Sequence, residues 1–401
     1  MAAEWAVKIR DAADALAPQL REWREALHRH PELGLETPWT QEYVWNELVK
    51  LGCEPKKCGQ AGITVLLGKK EGKVFLLRAD MDALPLTEVS EESFCSQNPG
   101  KMHACGHDMH TAMLLGAAKI LKENEDLLEG RVKLMFESGE ETGNGASDMI
   151  AGGVLEDPKV DAAEMIHVAA GAPFPTGLLL IPQGGTGASA SCCFKITATG
   201  KGGHGAMPSV CVDPITALCH IHSGIEEIFA REAELCDFLA ITVGQFHAGN
   251  APNVIPNTAE MSGSIRTMSV EKMKWAQQRI REIAEAIAAA YRAKADVEYT
   301  GFLPPLIADK DTADSAASYL AEIFGSGAMR IPSDTRGGGS EDFAFISAEV
   351  PSVPLFLAAG NANEGYKYPA HHPGVRFDET ALPRGTAAHV YIAMRWLEEH
   401  K

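Results

Sequence analysis

The sequence predicts an α/β fold, a largely parallel sheet with helices on both faces, into which a second, α+β domain is inserted. Three observations predict it. Short apolar, β-rich runs alternate with helical periodicity in the first part of the chain and again in the last, the pattern of strands joined by crossover helices. Residues able to do chemistry gather where several of those runs stop, and sites form at the carboxyl ends of parallel strands. Past Gly184-Gly185-Thr186-Gly187 the order becomes strand, helix, strand, strand, helix, strand, that of a ferredoxin-like two-layer sandwich. The predicted division is 1–185 with 303–401 for the α/β domain and 186–302 for the insertion.

Each element has its own local reason. Leu16, Leu20, Trp23 and Leu27 recur at spacings of three and four, and Pro31 stops that helix. A second helix runs from Thr40 to Leu51 and ends at Gly52. Ile63–Leu67 and Val74–Arg78 are β-rich runs, the latter leading straight into Ala79-Asp80-Met81-Asp82. Thr111–Glu123 reads as a helix, Arg131–Phe136 as a strand and Ala163–Val168 as another. In the insertion, strands are expected at Ser191–Ala198, Phe238–His247, Ala259–Thr267 and Ala295–Thr300, with helices at Pro214–Arg231 and Val270–Arg292. The chain returns through Pro304-Pro305 to a helix at Thr312–Phe324, a strand at Pro354–Ala359 and a final helix at Leu382–His400.

Composition narrows the function. The chain has 401 residues, 45% hydrophobic and 22% charged, with a net charge of −18. Such acidity argues against nucleic acid, which needs basic patches. No apolar run reaches the roughly 18 residues of a membrane span, and the acid-bearing amphipathic start, MAAEWAVKIRDAADAL, is not a signal peptide. The nine cysteines are odd in number and scattered, which fits reduced thiols and a cytoplasmic protein.

The densest chemistry lies in His103-Ala104-Cys105-Gly106-His107-Asp108-Met109-His110. Thiolate, imidazole and carboxylate are the ligands that borderline-soft divalent ions prefer. Cys105 and His107, two apart in a loop ahead of a helix, turn toward one point. His110 reads as structural or as a support to the ligands. Asp80 and Asp82, of the same parity at a strand end, suit carboxylates that accept the second N–H of a ligating imidazole. Glu140-Glu141 follow a buried strand. As adjacent acids pointing in different directions, one binds metal while the other holds a proton from water. His167 ends another apolar strand and reads as a ligand. Of His371 and His372, His371 is favoured as the ligand. His204, in Gly200-Lys201-Gly202-Gly203-His204-Gly205-Ala206, suits donation to an oxyanion. Gly337-Gly338-Gly339-Ser340-Glu341-Asp342-Phe343 reads as a loop lining the site, with a helix N-terminus as the alternative. No GxSxG nucleophile elbow is present.

At these residues the chain resembles the co-catalytic metallohydrolases of the aminoacylase and carboxypeptidase kind. The similar branch holds the hippurate hydrolases, the N-acyl-amino-acid amidohydrolases and the plant indole-acetyl-amino-acid hydrolases. The motifs run in order through nearly the whole chain: LHRHPELG, LRADMDALP, HACGHDMHTA, the paired acids, IHV, GKGGHGAMP, NVIPNTAEMSGSIRT, SEDF and HHPGVRFDE. The resemblance implies a zinc-peptidase-like catalytic domain and an inserted dimerisation and lid domain, hence a homodimer. It implies two divalent ions per subunit, Mn²⁺ or Zn²⁺ first and Co²⁺ or Ni²⁺ next, held by Cys105, His107, Glu141, His167 and His371. It makes Glu140 the general base and places Asp80 and Asp82 behind the ligands. His204 would support the oxyanion in the partner subunit's site, and Asn253 and Arg266 would hold the substrate's carboxylate. The implied activity is hydrolysis of the amide of an N-acyl amino acid. A dipeptidase or carboxypeptidase, an N-acetyl-diaminopimelate deacetylase, and a non-catalytic binding protein with a metal-lined pocket are the alternatives. Three departures stand near the substrate cavity. Glu137-Ser138-Gly139 replaces the usual glutamine, proline and alanine, Ala169-Ala170-Gly171 replaces a segment with proline, and Met109 replaces a common glycine.

Overall fold

A computed structural model describes residues 2–333 and 339–401. The chain forms two compact units. The first is Met1–Gly187, Ile307–Ser333 and Glu341–Lys401, and the second is Ala188–Leu306 with residues 339–340. Each follows from its own hydrophobic pattern.

The first unit is an α/β layer structure around an eight-stranded sheet. Its strands lie in the order Lys56–Cys58, Gly62–Leu67, Arg131–Glu137, Val74–Asp80, Ala162–Ala169, Ser352–Ala358, Leu179–Pro182, Ala328–Ile331. The central four, from Arg131–Glu137 to Ser352–Ala358, are mutually parallel. Gly62–Leu67 joins Arg131–Glu137 antiparallel, and Leu179–Pro182 joins Ser352–Ala358 antiparallel, so the sheet is mixed at its flanks. Val74–Asp80 is buried at every position, which is why its sequence is a continuous apolar run rather than an alternation. The two short outer strands, Leu179–Pro182 and Ala328–Ile331, are not among the elements expected from the sequence.

The helix His107–Glu123 is the unit's central helix, packed on Val74–Asp80 and against helices Ala17–Arg29 and Leu382–Glu399. It is buried at 14 of its 17 positions, and from Ala112 to Leu121 it is apolar except at Lys119, as a buried helix must be. Gly116 permits the close approach: a Cβ there would lie 2.6 Å from Leu20 Cδ2 and 2.9 Å from the Thr386 side chain. The N-terminal region forms three helices, Ala2–Ala15, Ala17–Arg29 and Pro38–Lys50.

The second unit is the split β-α-β-β-α-β sandwich. Its sheet order is Leu239–Ala248, Thr258–Thr267, Ala190–Thr199, Lys294–Leu303, with every neighbouring pair antiparallel. Helices Pro214–Glu227 and Val270–Ala290 bury Leu218, Ile221, Ile225, Ile280 and Ala284 against Phe194, Ile196 and Ile265 of the sheet. Asp213 and Ser269 cap these helices by accepting from Ile215 N and Lys272 N. Leu239–Ala248 is a sheet edge, exposed from Gly244 to Ala248.

Candidate metal centre

The centre lies at the carboxyl ends of the central parallel strands. Val74–Asp80 ends in Asp80, its neighbour Arg131–Glu137 leads to Glu140-Glu141, and Ala162–Ala169 carries His167. The fourth contribution is the helix His107–Glu123. It starts at His107, four residues earlier than its periodicity indicates, so His107 is helical rather than in the preceding loop. Gly106 makes the start possible. Its φ is +93°, and a Cβ would lie 2.3 Å from Val168 Cγ2.

The structure brings Cys105, His107, Glu141, His167 and His371 together. Cys105 Sγ is 3.3 Å from His167 Nε2 and 3.3 Å from His371 Nε2. Glu141 Oε1 is 3.8 Å from His107 Nε2 and 3.6 Å from His371 Nε2. Glu140 Oε2 also faces His107 Nε2, at 3.9 Å. The adjacent acids therefore both turn toward His107, where the sequence suggests divergence, because they sit in a turn beyond the strand end. Donor atoms around an ion bound at about 2.0–2.3 Å stand about 3.3–3.8 Å apart in tetrahedral geometry. The observed spacings match that shell.

The supports are equally specific. Asp82 accepts from Glu140 N at 3.1 Å and Glu141 N at 3.3 Å, and its backbone oxygen lies 2.8 Å from His107 Nδ1. Asp80 Oδ1 is 2.6 Å from His110 Nδ1, and His110 Nε2 accepts from Val168 N at 2.8 Å. That bond fixes the proton of His110 on Nδ1. His167 Nδ1 bonds its neighbour's carbonyl, Val168 O, at 2.7 Å, leaving Nε2 toward Cys105. His371 is held at φ +67° with its N–H on Ala104 O. His372 instead stacks on Tyr368 at 3.9 Å and accepts from Gly374 N, so His371 is the one aimed inward.

Electrostatics prepare the donors. Burial pushes His167 and His110 down to about 4, so both are neutral donors at ordinary pH. Burial lifts the Cys105 thiol to about 12, so its thiolate requires a neighbouring cation. Burial would lower His107, but Asp80, Asp82 and Cys105 outweigh it and hold it well above its usual value. Burial and then Glu341 hold the Glu140 carboxyl well above the carboxylate range.

These residues fit metal ions. His107 Nε2 and Glu141 Oε1 are buried with no hydrogen-bond partner, an arrangement that costs stability unless a further group satisfies them. The donors are sulfur, imidazole nitrogen and carboxylate oxygen in two triads, Cys105–His107–His167 and Cys105–Glu141–His371, that share the thiol.

His204, Asn253 and Arg266 all belong to the second unit. His204 lies on the short strand Gly203–His204, opposite Val254, and Asn253 O accepts from Gly205 N at 2.9 Å. Arg266, on Thr258–Thr267, donates to Ser340 Oγ at 2.9 Å. Gly337 and Gly338 lie outside the described residues. Glu341 and Asp342 precede the helix Ala344–Glu349, and Glu341 also belongs with Glu140 and Asp342 in one acidic group. Sequence reasoning missed Arg78, 2% exposed and bonded to Asp80, Glu137 and Asp342. It also missed the role of Asp108, on the helix His107–Glu123, which accepts from Arg24 and pairs with His28. A lone arginine inside an apolar strand was the available signal for the first.

The comparisons agree with this geometry. Residues 76–395 match the peptidase family M20/M25/M40. The chain is 34% identical over 394 residues to an IAA-amino acid hydrolase, ILR1-like 2, of Arabidopsis thaliana, covering 96% of this chain and 88% of that one. It is 32% identical to an N-acetylcysteine deacetylase of Bacillus subtilis, covering 95% and 97%. Among solved structures, the Bacillus subtilis YXEP protein, described as a dinuclear metal binding peptidase from the M20 family, superposes with a TM-score of 0.80 at 30% identity, covering 96% and 99%. A match through four-fifths of the length, on an α/β unit whose strand ends gather sulfur, imidazole and carboxylate donors, places this chain in the peptidase family M20/M25/M40 as a metallohydrolase.

Proposed function

We propose that the chain hydrolyses the amide bond of N-acyl amino acids, releasing a carboxylate and a free amino acid. One observation carries the reading: a half-buried carboxyl, Glu140, stands beside His107 within a shell of donors able to hold metal. Two relatives support the substrate class, since an IAA-amino acid hydrolase and an N-acetylcysteine deacetylase are both named for acylated amino acids. In this reading Cys105, His107, Glu141, His167 and His371 hold two divalent ions, with Mn²⁺ or Zn²⁺ ahead of Co²⁺ or Ni²⁺.

When bound, the ions supply Lewis acidity toward the amide carbonyl and the attacking water. The protein supplies the rest. Glu140 takes a proton from that water and delivers it to the leaving nitrogen, a role its raised proton affinity suits. Asp82 holds Glu140 and Glu141 in place through their N–H groups. His204 donates to the developing oxyanion in the partner subunit's site, and Asn253 and Arg266 bind the substrate's carboxylate.

The second unit serves as the dimerisation and lid domain of a homodimer. Its long exposed edge strand, Leu239–Ala248, supports this, because such an edge is a template for pairing with another chain. No described helix is long and apolar enough to cross a membrane. The nine cysteines are all free, which favours a reducing compartment such as the cytoplasm.

The test is turnover of a panel of N-acetyl, N-benzoyl and indole-acetyl amino acids and free dipeptides by metal-stripped protein. Mn²⁺, Zn²⁺, Co²⁺ or Ni²⁺ is restored singly. Metal-dependent cleavage of acylated amino acids is expected. Cleavage of free dipeptides alone would make the enzyme a dipeptidase, and two bound ions without turnover would make the chain a binding protein.

A further inference from the structure

A pocket of about 200 Å³ opens in the first unit among Arg10, Asp14, Thr176, Thr380 and Arg384. None of these side chains belongs to the gathered donors or to their supports. Two arginines against one aspartate leave the lining one positive charge in excess, in a chain whose net charge is −18. A concave patch of the sign opposite to the whole concentrates small anions locally.

Arg384 is the group without a partner. Its Nε is buried and makes no hydrogen bond, and among the described residues its guanidinium pairs with no carboxylate. Its place is nonetheless fixed. The guanidinium carbon stands 4.1 Å from the centre of the Phe324 ring, and a Cβ at Gly327 would fall on Nη2. An arginine laid on an aromatic face with its donors free is preorganised for a planar or tetrahedral oxyanion. Thr176 Oγ1, lining the same pocket, is also buried with no hydrogen-bond partner. Buried polar atoms left without partners cost stability unless a further group satisfies them. A guanidinium only donates and a hydroxyl can donate, so the missing group is an acceptor.

Two further features add to the field. Arg384 stands in the first turn of Leu382–Glu399, a helix of 18 residues with no side-chain cap, and the partial positive charge of that end favours an anion. Arg10 is exposed and meets only Asp11, at 3.8 Å. Asp14 opposes the field, but it is exposed and forms no ion pair with either arginine.

We propose that this pocket binds a small oxyanion, a phosphate or a carboxylate group, which accepts from Arg384 and Thr176 while Arg10 adds charge. Thr176 follows the strand Ala162–Ala169 that carries His167, and residues 380–384 follow the loop that carries His371. A bound anion joins these two segments, each of which continues from a gathered donor. Recognition at the pocket is independent of the amidohydrolase reading.

The experiment titrates inorganic phosphate, and separately acetate, into the metal-loaded full chain by isothermal calorimetry at constant ionic strength. One saturable event is expected in the wild type. Its affinity should fall at least about 10-fold in Arg384→Gln, the cost of a hydrogen bond to a charged group, and about 2–10-fold in Thr176→Val, the cost of a neutral one. Arg10→Gln should weaken it by a smaller factor that shrinks as salt is raised. Because Arg10 is exposed, that variant keeps the test decisive should Arg384→Gln fail to fold. Tighter binding of phosphate assigns a phosphate-bearing ligand, and tighter binding of acetate a carboxylate. Absence of saturable binding by either anion at millimolar concentration would overturn the proposal. So would an affinity unchanged in all three variants, which would put the anion at the metal centre. Neither result depends on turnover, so failure of the amidohydrolase reading is distinguishable.

Discussion

The two adjacent acids illustrate how neighbours in sequence take different duties. Glu141 Oε1 reaches toward His371 as well as His107, whereas Glu140 faces Glu341. Glu140→Gln keeps the shape of the turn and removes the proton acceptor. Turnover should drop by about 10²–10⁴-fold while two ions still bind by equilibrium dialysis. Full activity would assign the base elsewhere. Asp82 accepts from both glutamate N–H groups, so Asp82→Ala should release the turn. Metal affinity should weaken by about 10–100-fold, the usual cost of losing a supporting carboxylate. Isothermal titration with Zn²⁺ checks this, and unchanged affinity would make Asp82 a bystander. The gathered donors were legible in sequence because cysteine, histidine and acid side chains crowd into one short segment before a helix and follow or end apolar strands, where little but function explains them. Arg78 was not. Its partner Asp342 is 264 residues away, and no local pattern encodes a meeting that only the closed sheet produces.

At the scale of elements, long periodic segments were readable and short ones were not. The second unit's order followed from helices and strands of ten residues or more. Leu179–Pro182 and Ala328–Ile331, four residues each, are too short to show alternation and are held by pairing with each other and, for Leu179–Pro182, with Ser352–Ala358. The start of His107–Glu123 was misplaced because its first turn follows a left-handed glycine and carries no side-chain cap, the usual marker of a beginning. The edge strand Leu239–Ala248 makes a claim of its own. Phe246, 39% exposed on that edge, is the residue to change. Phe246→Lys places a charge where a second chain would pair. Light scattering should show a shift from dimer to monomer, with the melting temperature of the second unit unmoved. A dimer that persists would place the interface on another surface.

For the whole molecule, acid stability follows from imidazoles that are buried neutral. Burial lowers His103 to about 3 and His110 and His167 to about 4. Each folded value lies below the unfolded one near 6.5, so the stabilisation is present above that pH and is lost as pH falls toward 4. Neither ring nitrogen of His103 has a hydrogen-bond partner, so the melting temperature of the metal-free wild type relative to His103→Leu should decline between pH 6.5 and 4. A difference that does not change with pH would contradict the assignment. The order in which the chain is made bears on the same molecule. Ser352–Ala358 lies between Ala162–Ala169 and Leu179–Pro182, in the interior of the first sheet. A ribosome delivers that strand only after the whole of the second unit has emerged. All of the second unit's residues are made before Ser352–Ala358, so the first sheet keeps a gap between Ala162–Ala169 and Leu179–Pro182 until then. His371, the last of the gathered donors in the chain, is made later still, so the candidate metal centre has its full set of donors only when synthesis is nearly over.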